Sequence, residues 1–183
     1  MATRIVLTYA DYAAIPNDGR RYELHEGELS VTPAPGTRHQ QVVGNLYLAL
    51  RHHVDAHRVG QVFVSPIDCI LSDTTIVQPD IVYVDNTRLT AVSARGIEGP
   101  PTLVVEILSP GTEAVDRKVK LQIYARHRVP HYWIVDPESR TIEAHALTEG
   151  VYAVTARIEG APAAALPPFA NLALDPASIW PEP

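Results

Sequence analysis

Two carboxylates stand where the residues around them argue for dry β-structure. Glu106 interrupts the apolar run Leu103-Val104-Val105-Glu106-Ile107-Leu108, and Asp80, preceded by Pro79, opens the stretch "DIVYVD". A lone buried carboxylate costs roughly several kcal/mol, so it protonates, pairs with a cation or binds a metal. On neighbouring strands the two side chains would share one side of a sheet, and their repulsion raises one pKa unless a cation lies between them. A hard divalent ion answers both charges. Mg2+ commonly takes one or two carboxylates, keeps several waters and accepts phosphate oxygens; Mn2+ is the expected substitute. The simpler alternatives are a turn-capping role for Asp80 and, for Glu106, a buried ion pair with Lys120 or Arg117 and no metal.

The segment after Glu106 supplies positive charge. Asp116, Lys120 and His127 fall within a narrow arc of a helix expected from about Glu113 to Arg128. Lys120 is flanked by Leu121 and Ile123, which would pack its stem and aim its ammonium group. Two acids holding a metal beside an aimed lysine suit phosphodiester hydrolysis, in which charge grows on phosphate oxygen. Asp116 is the expected i,i+4 partner that orients Lys120. Glu23 and His39 form a second tier, Glu23 approaching from an N-terminal hairpin and His39 contacting phosphate or relaying protons from a helix start. Arg117 and Lys118 are candidates for contacts to a DNA backbone, against the alternative of a solvated charged face. Tyr124 is read as core packing.

Other constellations are weaker. His53 and His57 have an i,i+4 spacing that could hold zinc, yet no third ligand or zincin glutamate accompanies them. Ser109 follows a strand and precedes a helix, but the G-x-S-x-G pattern is missing.

These residues need a scaffold. "RYELHEGELSVTP" alternates around Glu26-Gly27 and predicts a hairpin at about 20–33. "TRHQQVVGNLYLALRHHVDAHRVG" places Val42, Val43, Leu46, Leu50 and Val54 at helical spacing, with Thr37 as N-cap and Gly60 as the stop. "GQVFVSPIDCIL" and "TTIVQPDIVYVD" are β-branched, separated by a turn at Ser72-Asp73, and the Glu106 strand follows. "HYWIVDP", "TIEAHALT" and "VYAVTARI" read as further strands, the last two as a hairpin at about 140–158. The expected fold is α/β, a mixed sheet flanked by two helices with a hairpin at each end. A single domain over 1–160, with its core at about 38–137, precedes an Ala/Pro-rich tail at 161–183 whose Ile179 and Trp180 dock on the body.

Composition narrows the partners. The 183 residues carry a formal net charge of −6, which disfavours nucleic-acid binding by mean charge and demands a local basic patch or a metal ion. The chain is 46% apolar, with no run of membrane-spanning length. The apolar run in "MATRIVLTYADYAAIP" is too short for a secretory signal to be expected, and no small-residue cleavage pattern follows it. One cysteine, Cys69, excludes an intrachain disulfide and a thiolate cluster, so a cytoplasmic setting is expected.

Taken together, "YELHEGEL", "PDIVYVD", "LVVEILSPGT", "DRKVKLQIYARHRVPHYWIVDP" and the His39 region resemble the Uma-type restriction-endonuclease family, within the PD-(D/E)XK nuclease superfamily. The resemblance spans about residues 20–155. It implies a restriction-endonuclease-like core, DNA as substrate, Asp80 and Glu106 as metal ligands, and the Ile107 carbonyl as a third. The superfamily's simplest pattern has a lysine two residues beyond the glutamate, where this chain has Leu108. In this branch Lys120 takes that place, and Lys118 lies on the other side of its helix. The leading expectation is therefore a Mg2+-dependent endonuclease acting through Asp80, Glu106 and Lys120, a homodimer being compatible with double-strand cutting. Two rivals stand beside it: a nuclease-fold DNA-binding or assembly module without catalysis, and a metal-dependent hydrolase of a small phosphorylated substrate.

Overall fold

The computed structural model describes residues 5–160 and 162–181. After a short helix, α1 (Tyr9–Ala13), strands β1 (Arg21–His25) and β2 (Glu28–Thr32) form the expected hairpin. Its two-residue turn, Glu26-Gly27, has positive φ at both positions, which suits the right-handed twist of the strands. Helix α2 (Thr37–His57) buries His39, Val42, Val43, Leu46, Leu50 and Val54 along one stripe. Its N-cap is Gly36 rather than Thr37, and it ends at Arg58 in the left-handed conformation. Gly60 starts the next strand instead of closing the helix. Its φ is +151°, and a Cβ there would meet the Val84 carbonyl oxygen at 2.1 Å.

The runs expected as continuous strands are each divided between two sheets. "GQVFVSPIDCIL" splits at Pro66 into β3 (Gly60–Val64) and β4 (Cys69–Ser72), and "TTIVQPDIVYVD" splits at Pro79 into β5 (Thr75–Val77) and β6 (Ile81–Asp85). Proline donates no N–H to a ladder, so each splits where pairing must stop. Strands β7 (Val92–Ser93), β8 (Gly96–Glu98), β9 (Leu103–Ile107), β10 (His131–Asp136), β11 (Thr141–Thr148) and β12 (Val151–Glu159) follow.

One sheet runs β12-β11-β10-β9-β6-β3 and is mixed, since β9 and β10 are parallel and the other pairs antiparallel. Parallel neighbours need a crossover, supplied by residues 115–126. The second sheet, β2-β1-β5-β4-β8-β7, grows from the N-terminal hairpin, which is thus part of a layer.

Alternation along β6 and β9 sorts the core. Ile81, Tyr83, Leu103, Val105 and Ile107 pack with the α2 stripe. Val82, Val84 and Val104 point the other way, toward Cys69, Val77 and Ile97 of the second sheet and toward Ile123 and Tyr124 of the crossover. The mixed sheet is therefore covered on both faces, by α2 and by the crossover helix, as its apolar strands require.

The crossover is helical, but not one uniform α-helix. Residues Val115–Lys120 form a wide π-turn that continues as α3 (Leu121–Arg126). The Ala/Pro-rich segment forms a two-stranded sheet, β13 (Ala164–Leu166) and β14 (Phe169–Leu174), and a short helix, α4 (Pro176–Ile179). Leu166, Phe169, Leu174 and Ile179 are buried in the α2 core, with Trp180 packed at its margin, as expected of Ile179 and Trp180.

Candidate active site

The register of β6 and β9 decides the relation between the two acids. Ile81 pairs with Val105 in antiparallel register, and one step further places Asp80 opposite Glu106. Opposed residues of an antiparallel pair point to the same side. By alternation that is the side of Val82 and Val104, facing the crossover helix. Asp80 and Glu106 are 5% and 3% exposed, and both line an open cleft of about 250 Å³ at this end of the sheet.

The crossover helix brings Lys120 onto Glu106. Its Nζ lies 2.9 Å from Glu106 Oε1, 3.1 Å from Glu23 Oε1 and 3.6 Å from Asp116 Oδ1. The Tyr124 hydroxyl donates to the same Glu106 oxygen at 2.6 Å. π-Turns recur at functional sites, and this one presents Asp116 and Lys120 together to the cleft. His127 shares their angular position, but seven residues carry it about 10 Å along the axis, away from the cleft-lining residues.

Asp80 is held by other elements. Its Oδ2 accepts from the Ile107 N–H at 2.9 Å and lies 3.1 Å from His39 Nε2, while Arg21 Nη1 stands 3.8 Å from Oδ1. Glu23, on β1, accepts from the Gln78 N–H at 2.7 Å and meets His25 at 3.0 Å. The Lys120 and Tyr124 contacts on Glu106 both fall on Oε1, and the Arg21 contact on Asp80 falls on Oδ1.

Burial and crowding perturb these groups strongly. Burial pushes the Glu106 carboxyl up to about 8; Lys120 opposes the shift, while Asp116, Asp80 and Glu23 add to it by repulsion. Burial also dominates the upward shift of Asp116, ahead of the opposing Lys120. For Glu23 burial pushes upward, yet Lys120, His25 and the Gln78 N–H outweigh it and hold the group well below the usual range. Lys120, although buried, is driven upward by Glu106, Glu23 and Asp116 and stays charged. Four buried carboxylates thus crowd around Lys120 and Arg21, and burial with mutual repulsion shifts Glu106 toward its protonated form.

This arrangement suits a hard cation. Among the described residues no three His, Cys, Asp or Glu side chains form a metal cage, and Mg2+ does not need one: two carboxylates and waters suffice. Asp80 and Glu106, opposed on one sheet face and both lining the cleft, meet that requirement.

Of the residues singled out from sequence, Asp80, Glu106, Ile107, Lys120, His39 and Asp116 line one cleft, and Glu23 reaches it through Lys120. Arg117 does not join them: it lies between Glu113 at 3.1 Å, Glu143 at 3.2 Å and Asp136 at 3.8 Å. Lys118 is exposed and outside the cleft. His53 and His57 stack on each other along α2, their ring centroids 4.3 Å apart. Ser109 lines the cleft with its hydroxyl 3.0 Å from that of Thr112. Two contributors escaped the sequence reading. Tyr124 stands four residues from Lys120, a spacing that could have linked them. Arg21 has no local signal, because only the second sheet carries it to Asp80.

A mixed sheet covered by helices, with paired acids and a lysine at one end, is a nuclease-like α/β fold. The comparisons agree. A family model described as "Putative restriction endonuclease", Uma2, matches residues 9–177. A crystal structure from Anabaena variabilis, described as a "putative nuclease belonging to DUF820", superposes with a TM-score of 0.78 at 20% identity, covering 94% of this chain and 97% of that one. At that identity the likeness speaks to fold. Among curated proteins none matches. The chain belongs to the Uma2 family.

Proposed function

We propose that this chain is a Mg2+-dependent endonuclease that hydrolyses DNA phosphodiester bonds at the Asp80–Glu106–Lys120 cleft. The observation that carries the reading is the facing pair Asp80 and Glu106, buried on one side of the sheet, with Glu106 tied to Lys120 at 2.9 Å. When bound there, Mg2+ supplies Lewis-acid polarisation of phosphate oxygen and a lowered pKa for water. The protein's own residues do the rest. Asp80 is held in place by the Ile107 N–H and His39, so its carboxylate needs no reorganisation to serve as a ligand. Lys120 keeps its charge at the cleft wall, where it orients Glu106 and offsets negative charge that grows on the substrate. The Ile107 carbonyl is a candidate third ligand, and Mn2+ should replace Mg2+.

The test is calorimetric titration of Mg2+ or Mn2+ together with cleavage of supercoiled and linear DNA. Wild type should bind the ion and cut, and Asp80→Ala should lose both. A wild type that takes up no ion and leaves every DNA form intact would overturn the assignment. One feature favours a second reading, a DNA-binding or assembly module without catalysis: Lys120 is engaged by three carboxylates. Ion binding and DNA binding without cleavage would select it.

No helix among the described residues is long and apolar enough to cross a membrane. A homodimer and a cytoplasmic site of action are part of the proposal.

A further inference from the structure

The cleft holds a second cation, Arg21, whose ion pair with Asp80 leaves part of its guanidinium unused. Arg21 leaves β1 and donates from Nη2 to the Gln78 carbonyl at 2.7 Å, beside the Pro79 crossing. Its contact with Asp80, at 3.8 Å, is an ion pair too long for a hydrogen bond. Its Nε is buried and has no hydrogen-bond partner among the described residues. A guanidinium carries five N–H donors in a planar fork, so this one has donors to spare in a largely dry position. A Lys ammonium could serve the Gln78 carbonyl equally well; the unused fork is what needs explaining.

The opposite wall is also short of acceptors. Helix α2, 21 residues long, begins at Gly36 on the cleft with no side-chain cap, so its first N–H groups and the positive end of its dipole open there. One turn in, His39 lines the same cleft and holds its Nε2 against Asp80, which leaves the first N–H groups of the helix facing the open space. A fixed positive charge beside Asp80 weakens the attraction of that carboxylate for a metal cation. The placement makes sense where the site must also receive an anion, and a planar fork matches two phosphate oxygens.

We infer that Arg21, with the first turn of α2, forms a binding site for the non-bridging oxygens of a substrate phosphate next to Asp80. The choice of a DNA phosphate as occupant rests on the nuclease reading; binding of the anion itself does not.

Inorganic phosphate is the probe, with Mg2+ present, and the readout is the arginine Nε–Hε region of the 1H–15N NMR spectrum. The Arg21 signal is assigned by its disappearance in Arg21→Lys, which keeps the charge and a donor for Gln78, and in Arg21→Ala where that variant folds. In wild type the Arg21 signal should move saturably with phosphate while the signals of Arg51 and Arg95 stay in place. In either variant phosphate affinity, read by calorimetric titration alongside wild type, should fall roughly tenfold to a hundredfold, the worth of about one charged hydrogen bond. An unmoved Arg21 signal, or equal drift of all arginine signals, overturns the proposal even if the protein cuts DNA, and leaves the nuclease reading standing. A saturable shift in a protein that never cuts DNA keeps the anion site and removes the nuclease.

Discussion

The proton on Glu106 should make ion binding depend steeply on pH. With a pKa of about 8, the group is roughly 90% protonated at pH 7. A carboxylic acid must lose its proton to bind Mg2+, so uptake at pH 7 should release roughly 0.9 proton per ion, falling to about 0.1 at pH 9. The same competition makes the apparent affinity about a hundredfold weaker at pH 6 than at its limit above pH 9, changing nearly tenfold per unit below pH 8 and levelling beyond it. The assay is calorimetry with Mg2+ or Mn2+ across pH 6–9, in pairs of buffers that differ in ionisation enthalpy, so that proton release is counted directly. Glu106→Gln is the control: it should bind more weakly and release no proton at pH 7. An affinity flat between pH 6 and pH 9, or release below about 0.2 proton at pH 7, would refute the view that excess buried charge protonates Glu106.

Two further outcomes test the packing behind the site. Lys120→Met leaves Glu23, Glu106 and Asp116 without their shared cation, and breaking such a buried pair should cost about 3–5 kcal/mol in urea unfolding at neutral pH. Glu23 is held below its usual range, so its share of stability is present above about pH 4.5 and lost as pH falls through the folded value. The gap between wild type and variant should accordingly narrow in acid, and equal stability of the two at pH 7.5 would contradict the charge cluster. Phe169→Ala removes a buried ring that meets Tyr83 at 4.8 Å and Trp133 at 6.1 Å between centroids. It should cost about 3–5 kcal/mol; a loss under about 1 kcal/mol, with an unchanged melting temperature, would make the C-terminal segment an appendage.

Local pattern was a good guide wherever one periodicity governs one element. The α2 stripe, the turn at Glu26-Gly27, and the isolated acids in apolar strands are all properties of neighbours in sequence. Even the shared side of Asp80 and Glu106 followed from alternation once their strands were taken as adjacent. Composition misled at the C-terminal segment, since Ala and Pro obscured the few apolar residues, Leu166, Phe169 and Leu174, that dock it on the core.

The sequence by itself determined the α/β class, the two helices and the acids and lysine that could do chemistry, because side-chain type and spacing are enough to assign a face to each element. Only the tertiary structure decided that the N-terminal hairpin seeds a second sheet. It also decided that Pro66 and Pro79 pass the chain between sheets, that Arg21 reaches the cleft beside Asp80, and that Tyr124 bonds to Glu106. The reason is physical: sharing of charge at a few ångströms depends on distance, and Arg21 and Asp80, 59 residues apart, become neighbours only through strand pairing that no local pattern encodes.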